Sequence, residues 1–121
     1  MITVVRVQGV DGRGPWRPGF SKTWIEGDAP ANRLTETIFD LVPLDTLLHL
    51  PSDMQFGSAC STLDALMDWF TPVERVRLAG LGFYPVRLNV DVVLAKSDYQ
   101  MVIGRRRPFA DGATRLKWSM Y

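Results

Sequence analysis

Cysteine and histidine are nearly absent from this 121-residue chain, which contains one of each, Cys60 and His49. A single cysteine cannot form an internal disulfide. One histidine with one cysteine also provides too few ligands for a zinc site and a poor basis for a Cys–His nucleophile pair. A Ser-His-Asp hydrolase would have to use His49, which stands in the apolar context Leu-His-Leu-Pro. We therefore expect no metal site, no resident cofactor and no histidine-dependent hydrolase.

Long apolar runs are also missing. No stretch approaches the roughly 18–20 apolar residues that a membrane-spanning helix needs. The first residues, Met-Ile-Thr-Val-Val-Arg, reach a charge at the sixth position, which is not typical of a signal peptide. We expect a cytoplasmic protein with no membrane contact.

The composition is that of an ordinary globular protein, with 46% hydrophobic and 22% charged residues. A chain of this length corresponds to one domain and can bury a core without disulfides or metals. No internal repeat, low-complexity tract or linker interrupts it. We expect residues 1–121 to form a single domain.

The first two thirds of the chain predict one strand and several short helices. Apolar residues over Ile2–Val7 indicate a buried strand, and short helical patterns follow over Leu34–Leu41 and Pro43–Leu50. Ser61-Thr62-Leu63-Asp64 resembles a capping box and predicts a helix from Ser61 to Phe70. A second capping box, Thr71-Pro72-Val73-Glu74, starts a helix that ends at Gly80 or Gly82.

The last third predicts strands. Phe83–Leu94 alternates strictly, with Val86, Leu88, Val90 and Val92 on one face, and that face should pack against the helices at 61–70 and 72–79. Further strands are expected over Tyr99–Ile103 and Thr114–Met120, giving an antiparallel meander. The order of elements predicts an α+β fold with a mostly antiparallel sheet packed against short central helices.

The segment Asp11-Gly-Arg-Gly-Pro-Trp-Arg-Pro-Gly19 cannot form a regular helix or strand, because it is rich in glycine and proline. Such a loop would present Arg13, Trp16 and Arg17 in a set geometry suited to an anion or a flat ligand. An alternative interpretation is a surface loop whose Trp16 packs into the core.

Arg6 is a charged residue within the apolar first strand. It lies on an exposed face or pairs with an acid such as Asp91, or it is held in a cleft where it binds phosphate. These interpretations stay open at the level of sequence.

Two further clusters carry charge. Arg105-Arg106-Arg107 could join Arg13, Arg17, Arg115 and Lys117 in a basic surface, with Trp16, Trp118 and Tyr121 available for stacking, as in a nucleic-acid binder. The alternative is a solvated strand end whose charges deter aggregation.

Charge is distributed unevenly along the chain. Residues 26–74 carry nine acids against one arginine, whereas both flanking segments are basic and the whole chain has a net charge of +1. Asp64 and Asp68 are four residues apart and share one helix face. They form either an ordinary solvated face or an acidic patch that docks a basic partner.

Several segments together resemble small uncharacterised proteins of phages and prophages. They are Arg6 with Gly12-Arg13-Gly14-Pro15, Phe56-Gly57-Ser58 with Ser61, Leu63 and Trp69-Phe70, Leu81-Gly82-Phe83 with Val86 to Val92, and Ser97-Asp98-Tyr99-Gln100-Met101-Val102-Ile103. The resemblance covers most of the chain and implies a phage accessory protein.

The layout is more distantly similar to the ADP-ribosyltransferase scaffold. That resemblance places Arg6 at the early basic position, Ser58 or Ser61 at the middle position and Gln100 where the catalytic glutamate belongs, with NAD as the implied cofactor. A neutral amide cannot stabilise the positive charge that develops on the ribose, so Gln100 puts catalysis in doubt.

The expected function is a phage or mobile-element accessory protein that binds and inhibits a host protein or nucleoprotein complex, such as a bacterial defence complex of the kind that anti-CRISPR proteins target. The alternatives are an ADP-ribosyltransferase-like enzyme or NAD-binding remnant that uses Arg6, Ser61 and Gln100, and a nucleic-acid-binding module.

Overall fold

The computed structural model describes residues 2–16, 20, 23–24 and 38–118. In these residues two three-stranded antiparallel sheets combine with four short helices. The α+β class predicted from the order of elements is confirmed.

The first sheet contains β1 (Ile2–Gln8), β3 (Tyr84–Val90) and β6 (Thr114–Arg115), in the order β1-β3-β6. β1 and β3 pair along their whole lengths, from Ile2 opposite Val90 to Gln8 opposite Tyr84. The strand predicted from the apolar residues of Ile2–Val7 therefore pairs with the first part of the strand predicted from alternation over Phe83–Leu94. β6 is much shorter than the predicted strand over Thr114–Met120.

The second sheet contains β2 (Gln55–Ala59), β4 (Val92–Lys96) and β5 (Met101–Arg105), in the order β2-β5-β4. β2 was not predicted, because Gln-Phe-Gly-Ser-Ala has neither a clear alternation nor a run of β-branched residues. It is a strand because β5 pairs with it, from Gln55 opposite Arg105 to Ala59 opposite Met101.

The single strand predicted over Phe83–Leu94 is wrong, because the chain bends at Asp91 and changes sheets. Val90 ends β3 in the first sheet, and Val92 begins β4 in the second. Asp91 holds the bend, since its N–H donates to Gly104 O at 3.0 Å and its carboxylate accepts from the Arg106 N–H at 2.6 Å. The C-terminal strands consequently do not form a meander, and β6 returns to pair with β3.

The two faces of β1 contribute to two different cores. Val5 and Val7 pack with side chains of α3 (Leu63–Met67) and α4 (Pro72–Gly80), such as Leu66 and Leu78. On the opposite face, Val4 packs against the second sheet. Burial on both faces explains why β1 carries apolar residues on both faces, with the charged Arg6 among them.

The buried face of β3 also points at the second sheet. Val86, Leu88 and Val90 cluster with residues of β2, β5 and the following loop, namely Ala59, Met101, Ile103 and Phe109. The prediction that this face packs against the helices is wrong, because β1 uses its other face for them. Two sheets therefore meet face to face.

The far side of the second sheet packs against the remaining helices, α1 (Ile38–Leu41) and α2 (Leu44–Leu48). Val102, whose neighbours Met101 and Ile103 point at the first sheet, packs with Val42 and Leu47. The layers are thus helices, sheet, sheet and helices. Residues 34–37, the start of the first predicted helix, lie outside the described residues.

The predicted helix signals near residue 71 are confirmed. The Thr71 hydroxyl accepts from the Glu74 N–H at 3.2 Å, and the Glu74 carboxylate accepts from the Thr71 N–H at 2.8 Å. Gly82, with φ +87°, follows the helix end. At α3 the cap is Thr62 rather than Ser61, because the Thr62 hydroxyl accepts from the Ala65 N–H, and that helix stops at Met67 instead of Phe70.

A charge placed between the two sheets should unfold the protein. Val90 is 5% exposed in the cluster between the sheets. We expect Val90→Asp to lower the free energy of unfolding by about 3–5 kcal/mol, because the carboxylate would be buried without a partner. Urea denaturation followed by circular dichroism measures this. Val76→Asp, at a position 58% exposed on α4, is the control and should cost under about 1 kcal/mol. Equal effects would contradict the layering.

Candidate anion-binding cleft

Arg6 lies inside the protein, between the two sheets, with 6% of its surface exposed. Its Nη1 donates to Gln8 Oε1 and to the carbonyl of Gly12, both at 3.2 Å. Its Cζ lies 4.2 Å from the centroid of the Phe109 ring, a cation–π contact. Gln8 in turn donates through Nε2 to Phe109 O at 2.9 Å. Arg6 is therefore neither exposed nor paired with Asp91, and the cleft interpretation is the one that matches its position.

The Arg6 guanidinium has no counter-ion among the residues that the structure describes. None of their carboxylates lies within ion-pair distance of it, and its Nε is buried without a hydrogen-bond partner. Burial lowers the pKa of Arg6 from 12.5 to about 10. The side chain remains protonated at neutral pH, so its buried positive charge is not compensated by any acid of the described residues.

A cleft of about 440 Å³ opens beside this side chain. Its lining combines charged and apolar groups: Arg6, Asp11, Gly12, Arg13, Gly14, Gln55, Phe56, Pro108 and Phe109. Three separate segments thus meet at one end of the sandwich, namely the loop after β1, the start of β2 and the loop after β5.

The loop after β1 is ordered by short-range hydrogen bonds. Gly9 N donates to Arg13 O at 2.9 Å, Gly12 N donates to Gly9 O at 3.0 Å, and Arg13 N donates to Asp11 Oδ1 at 3.0 Å. Gly12 has φ +86°, and a Cβ there would approach Ala110 N to 2.9 Å, so both conformation and space require glycine. The exposed Arg13 side chain stands on the rim, with Nε 3.7 Å from Asp11 Oδ2.

Trp16 lies against an aromatic cluster at the end of the same loop. It contacts Trp24 and Trp69 edge-on and stacks on Phe70, with ring centroids 4.7, 6.0 and 5.9 Å away. It keeps 37% of its surface exposed. Core packing and surface presentation therefore occur together at this residue. Arg17, the third predicted recognition residue, lies outside the described residues.

The three consecutive arginines at the end of β5, Arg105 to Arg107, do not form one basic surface. Arg105 is 3% exposed, and its donors go to the carbonyls of Asn89 at 2.8 Å, Asp111 at 2.7 Å and Pro108. Its role is to hold the loop after β5 in place.

The next two arginines are exposed, but they differ in their partners. Arg106 forms an ion pair with Asp53 at 3.6 Å, and Arg107 has no acidic partner among the described residues. Trp118 is buried and donates to Phe83 O at 2.8 Å, so it is not available for stacking. Tyr121 lies outside the described residues.

The acidic pair and the cysteine lie on the helix side of the first sheet. Asp64 and Asp68 are both exposed on and just after α3, which suits a solvated face and a docking patch equally. Cys60 is 4% exposed, and burial raises the pKa of its thiol to about 11. The thiol is therefore not a nucleophile at neutral pH.

Two of the three residues of the transferase-like interpretation lie outside the Arg6 cleft. Ser61 and Gln100 both lie just beyond the paired residues Ala59 and Met101, at one end of the second sheet. The Arg6 guanidinium lies further along β2, where a Cβ on Gly57 would approach its Nη2 to 3.2 Å. Neither Ser61 nor Gln100 lines the cleft that contains Arg6.

Sequence reasoning missed Gln8, Gly57 and Phe109 as members of the site. Gln8 had a signal, because it follows Arg6 by two residues and so shares its face of the strand. Gly57 and Phe109 had none, since they reach Arg6 through the pairing of distant strands.

Comparisons with protein-family models, with curated proteins and with solved structures gave no match. Among residues 2–16, 20, 23–24 and 38–118, no three potential metal ligands cluster, and no helix is long and apolar enough to cross a membrane. The geometry of the cleft and its loop is therefore the basis for the proposed function.

Truncation of Arg105 should destabilise the protein much more than truncation of Arg107. Arg105→Ala removes the donors from three backbone carbonyls, and we expect it to lower the free energy of unfolding by about 2–4 kcal/mol. Arg107→Ala, at an exposed position, should change it by less than about 0.5 kcal/mol. Urea denaturation of both variants is the measurement. An unchanged free energy of unfolding in Arg105→Ala would show that the hydrogen bonds of Arg105 do not hold the loop.

Proposed function

We propose that this protein binds a macromolecular partner through the loop of residues 9–16 and the rim of the adjacent cleft, and that it acts by binding rather than by catalysis. The supporting observation is that this loop is ordered by its own hydrogen bonds yet exposes Val10 and Arg13. Val10 is 97% exposed, and the Arg13 side chain is 68% exposed.

An ordered loop favours binding because less conformational entropy is lost when the complex forms. Arg6 contributes to this order from below, since its Nη1 donates to Gly12 O. Trp24 contributes from the other end, where its Nε1 donates to Pro15 O at 3.2 Å. Arginine and tryptophan are enriched at the energetic centres of protein interfaces, and the loop presents Arg13 and part of Trp16.

The proposed partner class rests on the sequence. The resemblance to phage proteins favours a host protein or nucleoprotein complex, such as a bacterial defence complex, and it implies the host cytoplasm as the location. The contact would then inhibit the host complex by occupying one of its surfaces. The loop surface carries a single exposed arginine beside an exposed valine, which suits a protein surface better than a run of nucleic-acid phosphates.

The loop can be tested with a double variant, Val10→Ser with Arg13→Ala. Both side chains are exposed, so the melting temperature should stay within a few degrees of wild type while affinity for the partner falls at least about tenfold. Affinity capture from a bacterial lysate identifies the partner, and titration of the purified pair measures the dissociation constant.

Lys96→Ala is the matched control, because Lys96 is exposed at the opposite end of the second sheet and its replacement should leave affinity unchanged. Retained affinity in the double variant would exclude the loop as the contact. A steep fall of affinity with salt would point instead to nucleic-acid phosphates.

A binding protein should not transfer ADP-ribose. We expect no detectable release of nicotinamide from NAD by the purified protein. Gln100 offers an amide where the reaction needs a carboxylate, which costs roughly 10²–10³ in rate. Its place outside the Arg6 cleft adds to this. Chromatographic assay of nicotinamide is the measurement. Robust release that disappears in Arg6→Gln would replace this proposal with the transferase-like function.

A further inference from the structure

We propose that the cleft beside Arg6 is a binding site for a singly charged carboxylate carried on an apolar or aromatic body. The site does not depend on the proposed partner, because it takes a small ligand and can be tested on the protein alone.

Part of the hydrogen-bonding capacity of the Arg6 guanidinium is unused among the described residues. Nη1 donates to Gln8 Oε1 and Gly12 O, whereas Nε has no partner and no hydrogen bond among the described residues uses Nη2. Nε is screened from solvent, so Nη2 is the donor that can reach an oxyanion in the cleft. The protein therefore leaves Nη2 available to a carboxylate oxygen.

Two glycines leave space for a ligand beside Nη2 of Arg6. Gly14 and Gly57 approach Nη2 from two different segments, and a Cβ on either would lie 3.3 or 3.2 Å from it. Neither glycine has a positive φ, so the backbone conformation does not require glycine at these positions. Their shared effect is to keep side chains away from Nη2.

Arg6 lacks a negatively charged partner among the described residues. A buried guanidinium is normally paired, since an isolated charge in the interior is costly. Gln8 and the Phe109 ring supply partial charges, and no carboxylate of the described residues reaches Arg6. An anion bound in the cleft would supply the missing partner.

The charge of the ligand follows from the other titratable groups of the lining. Arg13 adds a second positive charge at the rim, and Asp11 adds a negative one beside it, so the described residues of the lining carry a net charge of +1. A phosphate monoester carries about −1.5 to −2 at neutral pH, which exceeds that charge. A carboxylate carries a single negative charge and matches it.

The apolar lining determines what carries the carboxylate. Phe56, Pro108 and Phe109 form the walls, and Phe56 is 39% exposed toward solvent. A cleft of about 440 Å³ is within the usual range of small-molecule sites. The ligand would place its carboxylate on Arg6 and its apolar body between these rings, as a small aromatic acid or the C-terminal residue of a peptide does.

The test uses benzoate, benzamide and inorganic phosphate as probes, each titrated to about 50 mM at constant ionic strength. Chemical-shift changes in the amide spectrum locate the binding and give the dissociation constant. We expect benzoate to bind with a dissociation constant of about 1–10 mM, as few-atom ligands do, and to perturb residues 9–14, 55–57 and 108–109. Benzamide and phosphate should bind at least about tenfold more weakly.

Two variants test whether benzoate binds at Nη2 of Arg6. Arg6→Gln removes the charge, and Gly57→Ala keeps the charge but fills the space beside Nη2, so each should weaken benzoate binding at least about tenfold. Gly80→Ala is the matched control, because a Cβ there meets nothing within 4 Å and binding should be unchanged. The Gly57→Ala result keeps the test decisive if Arg6→Gln does not fold.

Three outcomes would overturn the proposal. They are no saturable binding of benzoate, equal binding of benzamide, and tighter binding of phosphate than of benzoate, which would make the site a phosphate site. A further probe, N-acetylphenylalanine, separates the sources of the carboxylate. Tighter binding than benzoate would point to a peptide C-terminus, and weaker binding to a free aromatic acid. Loss of the partner interaction in the loop variant would leave all of these results unaffected.

Discussion

The burial of β1 on both faces is the constraint on which the rest of the structure depends. Val5 and Val7 contact the helix layer, whereas Val4 contacts the second sheet. This strand therefore belongs to two of the three hydrophobic clusters of the described residues at once. Because successive side chains of a strand point to opposite faces, the residue two places after Val4 must also point between the sheets. Arg6 is that residue, so its interior position follows from the register of β1.

A charge forced into the interior organises its surroundings. The Nη1 of Arg6 ties the glycine loop to the sheet through Gly12 O, and Gln8, on the same face of β1, ties the loop after β5 through Phe109 O. The two loops that border the cleft are thus both anchored to neighbouring residues of one strand. Nη1 of the guanidinium serves this structural role, whereas no hydrogen bond of the described residues uses Nη2. Loop order and the proposed anion recognition would therefore depend on a single side chain. The proposed partner-binding loop and the proposed carboxylate site are neighbours for this reason.

The exposure of the three arginines at the end of β5 could not be predicted from the sequence. Arg105, Arg106 and Arg107 are identical in type and adjacent, and the sequence predicts one basic surface. In the structure the first is buried against three carbonyls, the second pairs with an acid and the third is exposed. Alternation separates Arg105 from Arg106, but which face is buried depends on the sheet opposite. Which of these arginines is buried and which is paired therefore depends on contacts with Asn89, Asp111 and Asp53, which lie elsewhere in the chain.

The sequence alone predicts the features that depend on residues close together in the chain. The capping box at Thr71 and Glu74, the glycine after α4, the apolar residues of β1 and the alternation of β3 are such features, and the α+β class follows from their order. The tertiary structure alone decided the bend at Asp91, the existence of β2 and the environment of Arg6. β2 becomes a strand because β5 pairs with it, and Gln8 binds Phe109 across most of the chain. No local propensity encodes such contacts, because their energy is gained only when distant segments pack together.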